Sequence, residues 1–600
     1  MRRPSVRRLV RQIAALATAS ALGVGAWTRQ AARTEAAEQR RADAAGSTLA
    51  ALFADAEAAR RRGEPIEPQE RLRRARQRVA ALPEASPRVR TEVLATLGAQ
   101  LAAADQAADA EAVLNEAVDL GRAELGEDHA QTDAARVQRA LLYRTTGRQK
   151  EARVEVDALL PRLRDHVRSR PRELVSALQV LALVRGDEGK HAEAAGLARE
   201  ALAIADARLG QADPLASAAA LVLARALQQT QDAGALVAAQ DALQRTERAF
   251  PGDAPEPHRI EARTLLGRAL AEAGELERGI SEMNAALDAT RVLHGRDSLE
   301  AALAAQSLVA WQVDRGLLRE ANRGADEALR ILLRVSLRRS YNVGAAFDAR
   351  GVARLAARRD ADARDNLVVA TQTLGVMIGH DHPATRLAKA HLAQALLAVE
   401  GEALAEEAVR DIDFPPAPPG STVLPCEAAA LRVRATARRL SGRPQEALAL
   451  LDRAAARIAA GHRAAQERAV IEVERGRAWL ALGRADAAKA AFEAALAALQ
   501  TSGSLPQPLN ADAQVGLGRA LLAAGDAVAS VPPLQAADAF WRGFDAGNPW
   551  AAEAVFWLAR ALQAAGRPAE RADADSRLAV VLAQASATGH SALTAIRVAP

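Results

Sequence analysis

The chain has 600 residues, half of them apolar and only 16 aromatic, more than one hydrophobic core needs, so it forms several domains or one extended array. A core rich in alanine and leucine favours closely packed helices over sheet, because strands draw on β-branched and aromatic side chains. The net charge of +5 misleads unless divided: residues 1–90 hold 19 arginines against 9 acids, leaving −5 for the rest, so the bulk of the chain lacks the basic face that a nucleic acid requires.

The N-terminus comes first. Arg2, Arg3, Arg7, Arg8 and Arg11 form a basic segment over 1–11, followed by an uncharged run over 12–28 centred on IAALATASALGVGAW. That run is at the lower limit for a helix crossing a bilayer, and arginines ahead of it keep their end in the cytoplasm. The expectation is a single-pass inner-membrane anchor helix with residues 30–600 in the periplasm. A cleaved signal peptide, with Val24-Gly25-Ala26 as its cleavage site, is the alternative and yields an exported soluble protein. A soluble or peripheral helix, giving a cytoplasmic protein, is the third. Residues 29–90 read as a charged helical adaptor, interrupted at Gly63 and Pro65 and closed by Pro83 and Pro87.

Beyond residue 90 the chain repeats itself. A glycine followed five residues later by alanine marks a tight turn between two helices, as in TTGRQKEA (Gly147), RGDEGKHAEA (Gly189), DRGLLREA (Gly316), SGRPQEA (Gly442) and LGRADAA (Gly483). Weaker copies stand at Gly274, Gly525 and Gly566. Successive intervals are 42, 85, 42, 126, 41, 42 and 41 residues, each a whole number of units near 42, which is the mark of a repeat array. Degenerate copies near Asp105, Gln231, Arg358 and Glu400 complete about twelve helix-turn-helix units over 90–590. Seven residues before each turn the side chain is small: Gly98, Ala140, Ala182, Ala224, Gly267, Gly351, Ala393, Ala435, Gly476, Gly518 and Ala559, with Val309 the exception. Small residues there let helices approach closely.

This pattern resembles the tetratricopeptide repeat, best in LLYRTTGRQKEARVEVDALL (141–160) and RGRAWLALGRADAAKAAFEAAL (475–496). The 42-residue period is similar to the long-repeat subclass typified by kinesin light chains. The resemblance implies an all-α fold: a right-handed α-solenoid of helix-turn-helix repeats, following an N-terminal membrane anchor helix. The expected division is a solenoid at 91–411, a proline-rich linker at 412–425 containing FPPAPPGSTVLP, a second solenoid with a C-terminal cap at 426–590, and a tail at 591–600. The linker is either a hinge or an elaborated loop between repeats.

Chemistry is sparse. MIGHDHPAT (377–385) holds two histidines around an aspartate, but its glycine recurs at Gly295, Gly252, Gly210 and Gly126, while His382 becomes Ser298, Pro255, Asp213 and His129. A ligand or catalyst cannot be exchanged so freely; these residues end one helix with glycine and cap the next. No phosphate loop, HExxH, CxxC or serine elbow is present. The lone Cys426 reads as a small packed residue. No catalytic, cofactor-binding or metal-binding residue is expected.

One residue after the small position an arginine recurs, at Arg225, Arg268, Arg477, Arg519 and Arg560. The tetratricopeptide resemblance implies that this column lines the concave groove, where stacked guanidiniums suit an acidic peptide or a chain-terminal carboxylate; a habit of the repeat template on a solvated face is the alternative. Six of the aromatics, Phe540, Trp541, Phe544, Trp550, Phe556 and Trp557, cluster near the end of the array, as a cap on the last repeat or as a partner's hot spot.

The N-terminal layout, with TRQAARTEAAEQRRADAAGSTLAALFADAE and RLRRARQRVAALPEASPRVRTEVLATLGAQL after the apolar run, resembles the region following the kinase domain in proteobacterial membrane-bound serine/threonine kinases that bear such repeats. This chain has no HRD or DFG segment and no strand lysine, so no kinase activity carries over. The expected function is a non-catalytic, membrane-anchored scaffold binding a protein or peptide, an acidic one if the arginine column takes part, and no nucleic acid. The alternative is the sensory portion of a split or truncated receptor kinase.

Overall fold

A computed structural model describes residues 87–585 other than 104–105, 231, 337–339, 413–424, 459–462 and 503–504. The expected anchor at 12–28 and tail at 591–600 lie outside the described residues, as do the degenerate turn copies at Asp105 and Gln231. Among the described residues there are 24 α-helices and no strand, and the chain divides into two compact units at Gly252.

The first unit carries α1 (Pro87–Ala103), α2 (Ala107–Glu124), α3 (Ala130–Thr145), α4 (Gln149–Asp165), α5 (Pro171–Asp187), α6 (His191–Arg208), α7 (Pro214–Gln229) and α8 (Ala235–Ala249). The second begins with α9 (Pro257–Glu272), α10 (Leu276–His294), α11 (Leu299–Arg315), α12 (Leu318–Val335), α13 (Tyr341–Ala356), α14 (Asp360–Ile378), α15 (Pro383–Val399) and the short α16 (Glu402–Ala408). It continues with α17 (Pro425–Leu440), α18 (Pro444–Ala455), α19 (Arg463–Ala481), α20 (Ala485–Thr501), α21 (Pro508–Ala523), α22 (Ala527–Phe544), α23 (Pro549–Ala564) and α24 (Pro568–Ala585). Each odd-numbered helix forms a hairpin with the helix that follows it, giving the helix-turn-helix units that the 42-residue period predicts.

The glycine ladder makes those turns. Gly147, Gly189, Gly274, Gly316, Gly442, Gly483, Gly525 and Gly566 sit between the helices of a hairpin with φ from +68° to +92°, a region that costs a residue with a Cβ about 1–2 kcal/mol. The second ladder, Gly126, Gly210, Gly252, Gly295 and Gly379, separates hairpins with φ from +91° to +108°. After Gly126, Gly210, Gly295 and Gly379 the residue matched to His382 caps the next helix, while after Gly252 the cap is Glu256, one beyond the matched Pro255. Nδ1 of His129 accepts from Gln131 N at 3.3 Å and Nδ1 of His382 from Ala384 N at 3.2 Å, as Asp213 and Ser298 do in their own hairpins. Both histidines are therefore punctuation.

Within a hairpin the small position is a socket. A Cβ added to Gly98, Gly267, Gly351, Gly476 or Gly518 would fall 2.4 to 2.6 Å from the side chain of Leu114, Met283, Leu367, Phe492 or Leu534. Each of these knobs lies sixteen residues further along, on the second helix. The glycines are there because a large side chain fills the space.

First helices of successive hairpins also pack against each other, α1 through α7 in the first unit and α11 through α23 in the second, whereas second helices do not do so comparably. An array whose first helices crowd together curves towards them, so in each unit they form the inner face. One apolar cluster containing Ala390, Leu396, Val409, Ile412, Cys426 and Val433 joins α15 to α17, so the core is continuous on either side of residues 413–424.

One expectation is corrected. Among the described residues no helix is long and apolar enough to cross a membrane. The longest, α10, α14 and α19, have 19 residues each; α10 and α19 carry charges along their length and α14 carries four in its first six residues, which a lipid interior does not tolerate. The placement as a single-pass inner-membrane protein with its solenoid in the periplasm is not supported.

Candidate functional site

The second unit turns back on itself. Leu505 N donates to the carbonyl of Arg315 at 2.7 Å, and Phe544 packs into the cluster of Val309, Val313, Ala325 and Ala353. The turns of the α11–α12 and α13–α14 hairpins thereby meet the loops before α21 and α23, one superhelical turn later. The first helices α17, α19, α21 and α23 face inward within that turn.

Three members of the arginine column lie there: Arg477 on α19, Arg519 on α21 and Arg560 on α23. Each follows a small residue, Gly476, Gly518 or Ala559, that is buried in its hairpin, so the arginine is rotated one position off the core towards the inner face. Arg268 on α9 lies outside this cluster, and Arg225 belongs to the first unit; both are half-buried.

The column is not a bare cationic strip. Arg477 Nη1 donates to Glu474 Oε1 at 2.6 Å, and its Nη2 lies 3.4 Å from Asp512 Oδ2. Glu474 also faces Arg439 Nε at 3.4 Å and accepts from the Thr436 hydroxyl at 3.0 Å. Asp512 is shared with Arg358. Arg519 donates to Glu553 at 2.9 Å and lies over the Trp557 ring at 4.6 Å. Arg560 flanks Phe556 at 5.4 Å and the same Trp557 ring at 5.9 Å. The result is a chain of alternating charges across four helices, ending on an aromatic platform.

Burial sets the electrostatics. It pushes the Glu474 carboxyl up, but Arg477 and Arg439 outweigh it and hold that group at about 2. Burial lowers Arg477, yet Glu474, Asp512 and Glu553 more than compensate and raise it. At Asp512 burial wins: its pKa is raised despite Arg358 and Arg477, with Glu553 and Glu474 adding repulsion. Burial likewise lowers Arg519, with Arg477 and Arg439 opposing the pull of Glu553. These guanidiniums are held by their own carboxylates, as buried charge must be.

Sequence reasoning found the arginines and missed Glu474, Asp512, Glu553, Arg439 and Arg358. A signal existed for two of the acids: Asp512 and Glu553 each stand seven residues before a column arginine, two turns away on one helical face. The aromatic cluster divides its work. Trp541 is 2% exposed and stacks edge-on with Phe540 and Phe544 in the terminal core. Trp550 contacts Arg358, while Phe556 and Trp557 carry the arginines. Cys426 is buried, and burial pushes its thiol pKa up, as a packing residue requires. Among the described residues no group of His, Cys, Asp or Glu is placed to hold a metal ion.

No protein-family model matches the chain, and no curated protein matches it. Solved structures do. A kinesin light chain with nearly identical tetratricopeptide-like repeats from Podosopora anserina is 16% identical over 34% of this chain and 95% of that one, with a TM-score of 0.30. BtubC from P. vanneervenii is 20% identical over 41% of this chain and 94% of that one, with a TM-score of 0.31. The Cut9–Hcn1 hetero-tetramer of the APC/C is 14% identical over 86% of this chain and 96% of that one, with a TM-score of 0.35. These scores are too low to assign a fold or a role, and nothing in these structures bears on the kinase-associated resemblance. The chain is a helical-hairpin solenoid similar to tetratricopeptide-like repeat proteins, on the strength of its own hairpins.

Proposed function

We propose that the protein is a non-catalytic interaction scaffold whose inner face, in the second unit, binds a peptide or protein segment carrying carboxylates. The observation that supports this reading most is the platform of Arg519 and Arg560 against Trp557 and Phe556. A guanidinium stacked on an aromatic face keeps its N–H groups in the plane, directed sideways, where a carboxylate is bound in bidentate fashion. Arg477 contributes by holding Glu474 and Asp512 in ion pairs along the same inner face, and Arg225 and Arg268 extend the same template along their own helices. No cofactor is required, since recognition of this kind is complementarity of shape and charge.

The test uses a fluorescein-labelled decapeptide of glutamate with a decalysine control, followed by anisotropy. The wild-type chain is expected to bind the acidic peptide, more weakly as salt rises, and Arg519→Ala and Arg560→Glu are each expected to lower affinity at least tenfold with unchanged helical circular dichroism. Equal affinity in wild type and variants, or preference for the basic peptide, would remove the reading.

A further inference from the structure

The α13–α14 turn breaks the rule that its neighbours keep. Arg358 stands where Gly316, Gly442 or Gly483 stands in other hairpins, yet the backbone still passes through the left-handed region, at φ +57°. Among the described residues it is the one non-glycine with positive φ. A side chain held against that cost is held by its contacts.

Those contacts all reach across the superhelical turn. The Arg358 guanidinium binds Asp512 on α21 and lies 4.7 Å from the centre of the Trp550 ring on α23. Trp550 Nε1 donates to Asp360 Oδ2 at 2.8 Å. The amide of Asn548, itself buried, donates to the carbonyls of Ala357 and Arg358, each at 3.4 Å. Loop and turn are thus clipped together by an ion pair, a stacked cation and three further hydrogen bonds, and Asn548 makes its two while its Oδ1 also caps α23 by accepting from Trp550 N at 3.1 Å.

Asp512 links this clip to the inner face, since it also faces Arg477. With the clip closed, the Asp512 and Glu474 side chains are only 5% and 11% exposed, so the middle of the inner face is covered.

We propose that Arg358, Asp512, Asn548 and Trp550 form a latch that closes the superhelical turn of the second unit, and that a carboxylate-bearing partner reaches the inner face only when it opens. The second half rests on the reading given under Proposed function; the first does not. The open state is then a minor conformer, and binding is weakened by the fraction of time the latch stays shut.

The experiment places spin labels at Arg359 and Ala546, both exposed beside the latch, in a Cys426→Ala background of the full chain. Distances are measured by double electron–electron resonance, and association of the labelled decaglutamate peptide by stopped flow. Wild type is expected to give one short, narrow distance. Arg358→Ala is expected to give a longer, broad one and to speed association roughly tenfold, if the open fraction rises from about a tenth to nearly all. Asn548→Ala, which leaves the buried charges in place, gives the same direction at smaller amplitude and guards against misfolding of the first variant. An unchanged distance in both variants overturns the latch. A longer distance with unchanged association overturns its control of entry. A peptide that binds neither protein overturns the reading of the inner face, while the distances still decide the latch.

Discussion

Val309 on α11 and Ala325 on α12 invert the sizes that other hairpins assign to these two positions. In five other hairpins the first helix supplies glycine as the socket and the second a large knob sixteen residues later, as with Gly351 under Leu367. Here the valine is on the first helix and the alanine on the second, and both are buried in one cluster. The sole exception in the small-residue column is thus a compensated exchange of volume. Ala325→Leu alone should overpack the hairpin and lower unfolding stability by about 1–3 kcal/mol. Adding Val309→Gly should recover most of that loss, giving a favourable coupling in a double-mutant cycle by urea unfolding. Additive losses would show that the two side chains do not share one space.

Phe492 gives the converse case. Its ring is fully buried between hairpins, with Gly476 of its own hairpin on one side and Gly516 of the next on the other; a Cβ on either glycine would strike it. Phe492→Ala should cost about 3–5 kcal/mol through the cavity left behind. Gly516→Ala should also destabilise, because the ring has nowhere to move, and should cost little once Phe492 is alanine. Thermal unfolding of the two single variants and the double variant checks this.

The repeat architecture was legible in the sequence because it rests on local rules: a glycine at positive φ, a cap, and a small residue at a fixed offset. Glycine registers such as Gly295 and Gly379 gave both the turn positions and the capping role of His382. What lay beyond reach was everything set by how far the array curves. Arg358 looked like a degenerate turn copy because its partners, Asp512 and Trp550, are more than 150 residues away. The arginine column was visible, but its neutralisation was not, because Glu553 reaches Arg519 from the next hairpin and Glu474 bridges Arg477 to Arg439 across two hairpins. The apolar run at 12–28 raised an expectation of a membrane anchor that no described helix supports.

The strain at Arg358 separates two roles of one residue. Arg358→Gly and Arg358→Ala both remove the guanidinium from Asp512 and Trp550, but only alanine keeps a Cβ in the left-handed turn. Glycine should therefore be the more stable of the two by roughly 1 kcal/mol, seen as a higher urea midpoint. Equal midpoints would mean that the turn relaxes to an ordinary conformation once the latch contacts are gone, and that the backbone is held there by Asp512 and Trp550 alone.

Acid should attack the inner face through Glu474. Its carboxyl is held at about 2 in the folded chain against an ordinary value of 4.5, because Arg477 and Arg439 outweigh the cost of its burial. A depressed folded-state pKa adds stability that is fully present above the ordinary value and is lost as pH falls from 4.5 towards 2. Asp512 has the opposite sign: burial raises its pKa, so its contribution is full below its ordinary value and fades as pH rises. In urea titrations, Glu474→Gln should lose on the order of 3 kcal/mol at neutral pH, through the missing carboxylate and the buried guanidiniums left behind. Its stability should then fall less steeply than that of wild type between pH 4.5 and about 2. An Asp512→Asn chain, with Glu474 intact, should keep the steep acid limb. Parallel limbs for wild type and Glu474→Gln would place the acid-sensitive carboxylate elsewhere.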